Sequence, residues 1–170
     1  MENAKLIFAL ATLSYFALTT NQNSLSQQEA VTNMEAQISA IGYGQQLIEQ
    51  ISTESFDEAT TNQQVVSSTL QLTNSLSFGL DGSESSPDDV DDYDGMVYDI
   101  DTPRIDGFKA AVNVSYINPS TSQVTSTKTY IKQVEVVIWN SSFMSDSIKI
   151  YNWETYHNDV AAEEIFCKPY

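Results

Sequence analysis

Apolar residues dominate the start of the chain: Ala4 to Leu18 reads AKLIFALATLSYFAL, with Lys5 as its one charge. Thr19 to Gln28 turns polar, Leu25 being the main exception. Apolar positions then recur at Val31, Met34, Ile38, Ile41, Ile48 and Ile51, in steps of three, four and three and then a gap of seven. That spacing is helical and close to a heptad. Glu29, Glu35, Gln37, Gln45, Gln46, Glu49 and Gln50 fall between and supply a polar face. No Pro or Gly interrupts the chain before Gly42, so the pattern predicts one helix from about Asn3 to about Ser52. At about 1.5 Å per residue it is roughly 75 Å long. A globule of this size is narrower than that, so the first half is expected to project. The second half is expected to lie as a plain amphipathic helix on a sheet. Gly42 and Gly44 cost about 1 kcal/mol each relative to Ala; they mark a bend or a close backbone approach.

Beyond the helix the period changes. Thr60 to Leu80 alternates weakly through Val65, Val66, Leu70, Leu72, Leu76, Phe78 and Leu80, which predicts one or two short strands or an extended loop. Asp81 to Pro87 is a turn-rich connector. Lys109–Ile117 sets Ala110, Val112, Val114 and Tyr116 on one side and Ala111, Asn113, Ser115 and Ile117 on the other. After the turn Asn118–Ser122, Thr125–Trp139 is rich in β-branched and aromatic residues, as strands are. Ser147–Tyr156 alternates again, with Ile148, Ile150 and Asn152 against Lys149, Tyr151 and Trp153. These segments predict an antiparallel meander whose apolar face needs a cover, and the second half of the helix is there to provide it. The expected fold class is α+β: a long N-terminal helix, its apolar half projecting, packed at its C-terminal half on an antiparallel sheet. Residues 1–25 form the apolar half and residues 26–170 the head.

The projecting half admits three readings. A secretory signal needs a basic start and a small-residue cleavage site, and neither Met1–Lys5 nor Ala17-Leu18-Thr19 supplies one. A single-pass anchor needs roughly 20 apolar residues, and Leu6 to Leu18 falls short. The third reading is a helix covered by copies of itself, because a helix apolar on all sides is buried in a core or a membrane. The candidate assembly residues are Leu6, Ile7, Phe8, Leu10, Leu13, Tyr15, Phe16 and Leu18. Glu2 and Lys5 carry charges that need partners once buried; Glu2 can reach Lys5 on its own helix or the Met1 ammonium of a neighbour.

Three passages together resemble the type IV pilin and pseudopilin superfamily, particularly its minor-pseudopilin branch. The first is the apolar Leu6–Leu18 running into an amphipathic half. The second is Ala40-Ile41-Gly42-Tyr43-Gly44-Gln45-Gln46-Leu47-Ile48-Glu49-Gln50-Ile51 followed by Ser55-Phe56-Asp57-Glu58, similar to that branch's Ala-Gln-x-Leu-Ile-Glu-x-Ile and Phe-Asp-Glu pattern. The third is Asp89-Val90-Asp91-Asp92-Tyr93-Asp94-Gly95, similar to its Asp-Asp-Tyr-x-Gly entry to the sheet. The resemblance covers most of the chain. It implies a structural subunit of an extracellular pilus-like or pseudopilus-like filament, polymerising with itself or with other pilin-like subunits and held in the inner membrane before assembly. In that superfamily a glutamate near the mature N-terminus pairs with a neighbour's N-terminus, a role for which Glu2 is the candidate. The start departs from the family: a prepilin carries a basic leader, a Gly, Phe-Thr-Leu and a fifth-position Glu, whereas the fifth residue here is Lys5. Two readings follow, a chain already processed before Met1 or a different route of export.

Charge narrows the partners. With 23 acids against 7 bases the net charge is −16, so nucleic acid is not an expected partner, since binding it rests on clustered Lys and Arg. Nine acids and no bases lie between Asp81 and Asp101. Hard cations take oxygens from such clusters, which makes Asp88, Asp89, Asp91, Asp92 and Asp94 candidate calcium ligands against the plainer reading of a solvated acidic loop. Major pseudopilins of the resembled superfamily also bind calcium in their loops. Asn113-Val114-Ser115 and Asn140-Ser141-Ser142 match the glycosylation acceptor pattern. His157 is the sole histidine and Cys167 the sole cysteine, which excludes an intramolecular disulfide and leaves Cys167 as an inert tail thiol or an intermolecular bridge. No nucleophile elbow, phosphate-cradling Gly loop or Cys/His metal spacing is present, so no enzyme and no certain cofactor is expected. The alternative to a filament subunit is a monomeric membrane-anchored surface or binding domain.

Overall fold

The computed structural model describes residues 2–80, 82, 86–102 and 104–157, and of residues 2, 62 and 63 the backbone alone. Its axis is α1, a helix of 50 residues over Glu2–Ile51. It passes through the polar stretch Thr20–Gln28 without a break. The helix ends where Ser52 and Thr53 fold back, their amides donating to Ile48 O and Gln50 O at 2.9 and 3.1 Å. Ser55 then makes a parallel bridge to Asp89.

The head is a five-stranded antiparallel sheet. Its strands are β1 (Val97–Ile100), β2 (Phe108–Asn118), β3 (Gln123–Thr125), β4 (Ile131–Asn140) and β5 (Ile148–Thr155), in the order β1-β2-β4-β5, with β3 pairing the end of β2. Val112 stands opposite Val136, and Val136 opposite Ile150. Alternation holds as expected: Phe108, Ala110, Val112, Val114 and Tyr116 of β2 are buried with Val134, Val136 and Ile138 of β4.

The expected single strand Thr125–Trp139 is instead two, β3 and β4, separated by a turn over 126–130. Thr60–Leu80 forms no strand. It is a run of short 3-10 turns at Glu58–Gln63, Thr69–Gln71 and Ser75–Ser77, started by Asp57, Ser68 and Asn74, whose side chains each accept a backbone N–H. Such local bonds offer the backbone an alternative to a ladder, and here they prevail over the weak alternation.

The helix meets the sheet on β4 and β5, and the face it uses is not the expected one. Ala36 and Ala40 are fully buried, with Ile51, Leu47 and Ile48 completing the contact. A Cβ on Gly44 would stand 2.4 Å from Ile138 Cδ1 and 2.6 Å from Ile150 Cδ1. The sheet presents large side chains, so the helix must present small ones to approach. The heptad ridge Val31, Met34, Ile38 and Ile41 is therefore turned outward, 41–71% exposed; Ile48 and Ile51 alone of that series pack inward.

Candidate functional site

Residues 3–31 of α1 are exposed throughout, apart from a half-buried Thr19. Leu6, Ile7, Phe8, Leu10, Leu13, Tyr15, Phe16 and Leu18 are each 62–73% exposed. Three threonines within this stretch turn their hydroxyls back on the helix itself. Thr12 donates to Ala9 O at 2.9 Å, Thr19 to Phe16 O at 2.9 Å and Thr20 to Phe16 O at 2.8 Å. Hydroxyls satisfied by their own backbone bring no orphan donor into an apolar environment. Those hydroxyls do not oppose burial of the surface, and none of the described residues covers it. Leu25, Val31, Met34, Ile38 and Ile41 continue it as an exposed ridge down to the head. Lys5 is exposed; its expected partner, the Glu2 side chain, and the Met1 ammonium lie outside the described residues. No helix among the described residues is long and apolar enough to cross a membrane.

The head holds a second concentration of chemistry that the sequence did not announce. Lys132 occupies an inward position of β4, in phase with Val134, Val136 and Ile138, and is fully buried. Its ammonium donates to Phe56 O at 2.6 Å, to Asp57 Oδ2 at 2.8 Å and to Asp91 Oδ1. The rings of Phe56, Phe78 and Tyr116 close around it with centroids at 4.6, 5.3 and 5.6 Å. Asp57 is also fully buried, and its oxygens accept from Ala59 N, Thr73 N and Thr73 Oγ1 as well.

Asp89 lies beside Asp91, and the two carboxyl groups act on one another through their charge. Burial, and after it the negative charge of Asp91, push the Asp89 carboxyl up to about 8. Burial also raises Asp91, against the pull of Lys132, and raises the Tyr116 phenol. Asp57 and Asp91 thus face the one ammonium, with the raised Asp89 carboxyl beside Asp91.

Four of the five candidate calcium ligands accept from protein donors. Asp91 faces Lys132, Asp89 accepts from Asp92 N, Asp92 accepts from Asp88 N at 3.0 Å, and Asp94 accepts from Val114 N at 2.7 Å. Among the described residues no three carboxylate, His or Cys groups are gathered to hold a metal ion. Asp81 and Glu84 lie outside the described residues.

The two acceptor asparagines differ. Asn113 is exposed on β2, its amide donating to Glu135 Oε2 at 3.1 Å. Asn140 is buried, with Nδ2 donating to Asp106 O and Oδ1 accepting from Ser142 N and Phe143 N. The Asn140 amide is thus engaged within the fold, whereas Asn113 stands at the surface. His157 is exposed at the end of the last strand, and Cys167 lies outside the described residues.

Comparison with family profiles, characterised proteins and solved structures finds no match to this chain.

Proposed function

We propose that the chain is a structural, non-enzymatic subunit of an extracellular pilus-like or pseudopilus-like filament, polymerising with itself or with pilin-like partners through α1. The observation that carries this reading is the uncovered apolar half of the helix. Full burial of one large apolar side chain stabilises by about 1.5–3 kcal/mol, so eight of them favour a polymer even after the cost of association is subtracted. In this reading the apolar helices form the filament core, and the acidic heads form its outside and keep it soluble. Before assembly the same helix surface is held in a membrane.

Electron microscopy of the purified full chain tests it: helical fibres are expected. Soluble single particles that bind lipid vesicles would favour the membrane-anchored domain instead.

A further inference from the structure

The Lys132 pocket supports an inference that does not depend on the filament reading. A primary amine and a side-chain carboxyl are in contact there, away from solvent, with two further carboxyl groups beside them. Lys132 Nζ touches Asp91 Oδ1, Asp89 lies beside Asp91, and Asp57 Oδ2 accepts from Nζ at 2.8 Å. Lys132 and Asp57 are fully buried, and Asp89 and Asp91 nearly so. Aromatic rings wall the amine.

We propose that Lys132 Nζ and the Asp91 carboxyl carbon condense into an intramolecular amide bond with release of one water. The partners are already in place, and holding reacting groups in contact removes the entropic part of a bimolecular barrier. Excluding solvent removes the water that would drive hydrolysis.

The step needs no further reactant. The new bond joins Nζ to Cγ of Asp91, and the bond that breaks joins Cγ to one Asp91 oxygen. An ammonium and a carboxylate lose two protons and one oxygen as water, leaving an amide N–H and a carbonyl. The two protons leave Nζ and depart with the Asp91 oxygen. Asp57 and Asp89 relay them and end as they began, a carboxylate and an acid.

Asp91 is the electrophile rather than Asp57 because of what each carboxyl already holds. Asp57 anchors the backbone at Ala59 and Thr73, and an amide there would give up one of its anchoring oxygens. Asp91 has Lys132 and Asp89 as its side-chain partners among the described residues. The bond would tie the turn that leads into β1 to the start of β4, across 41 residues of sequence.

Intact mass spectrometry of the purified full chain tests it, with the expected result one water below the mass of the sequence. Asp-Gly pairs such as Asp94-Gly95 can also lose water, so the loss must be localised. Trypsin should release residues 6–104 and 129–149 as one linked species, uncut at Lys132, with fragmentation placing the bond at Asp91. Asp91→Asn should lose one ammonia instead of one water, and Lys132→Arg should return the chain to its sequence mass. A chain at full mass with Lys132 open to trypsin would overturn the proposal and leave an ion pair. So would a link at Asp57, or a water loss that persists in Asp91→Asn.

Discussion

The two halves of α1 have the same backbone and opposite surroundings. Where the helix is covered, its contact face is made of Ala36, Ala40 and Gly44, and the sheet supplies the bulk through Val136, Ile138 and Ile150. Where it is uncovered, the bulk is on the helix itself, in Phe8, Tyr15, Phe16 and the leucines between them. A face destined for a sheet of large side chains is small. A face that is large and still bare has its partner elsewhere. The ridge Val31–Ile41 belongs with the second kind although it lies over the head, which extends the uncovered surface well past residue 25.

The largest effect should come from the bare half. Deleting residues 1–25, or the single change Phe8→Asp, is expected to abolish fibres while the melting temperature of the head stays where it was. Electron microscopy and thermal unfolding of the same samples check this. A head that unfolds on deletion would show that the two halves are coupled, and normal fibres from the truncated chain would remove α1 from assembly.

Next in size is Lys132→Met. It leaves Asp57 and Asp91 buried without their cation, and breaking a buried pair on one side costs about 3–5 kcal/mol. Denaturant unfolding should register that loss, again without any change in the first half of the helix.

Asp89 makes a pH signature at the same pocket. Its carboxyl titrates at about 8 when folded, against an ordinary 3.8, so the folded chain holds this proton more tightly than the unfolded one. The contribution is full below about 3.8 and is lost as pH rises to and through about 8. The melting temperature should therefore decline across that window, and Asp89→Asn should flatten the decline. A raised Asp91 would leave a smaller residual slope in the same direction.

Much of this architecture was legible in the sequence because period and length are local properties. The fifty-residue helix, the alternating faces of β2 and β4, and the eight bare apolar residues all follow from spacing. Three things were hidden for identifiable reasons. The heptad ridge was read as the sheet-facing side because large residues usually mark the core, and nothing local says that the sheet demands small ones. The acidic loop was read as a metal candidate because the counter-charge, Lys132, stands 41 positions away in sequence. Yet a signal was present: Lys132 holds the inward phase of a strand that otherwise reads Val134, Val136, Ile138, and a charge in that phase calls for a buried carboxylate. The 3-10 turns of residues 58–77 rest on capping by Asp57, Ser68 and Asn74, which a hydropathy pattern does not register.

Gly44 tests the covered half directly. A side chain there must displace Ile138 and Ile150, and overpacking of this kind costs typically about 1–3 kcal/mol. Gly44→Val is expected to lower the denaturation midpoint of the head by that order. An unchanged midpoint would mean that the helix sits further from the sheet than the small-residue face implies.

The smallest effect is the most discriminating, because Gly42 lies two residues away on the other side of the question. Apart from its own helix, none of the described residues stands within 4 Å of a Cβ placed on it, and it is exposed beside Ile38 and Ile41. In an isolated head, Gly42→Ala should therefore stabilise by up to about 1 kcal/mol, the difference in helix propensity. If the ridge Val31–Ile41 is covered in a filament, the same position faces a neighbour, and a Gly there lets that neighbour's backbone come close. The added methyl would then weaken assembly while strengthening the monomer. Thermal unfolding of the truncated chain and the critical concentration for fibre formation by the full chain read the two effects separately. A rise in both melting temperature and critical concentration places Gly42 in an interface between subunits. A rise in melting temperature alone confines the assembly surface to the residues before Leu25.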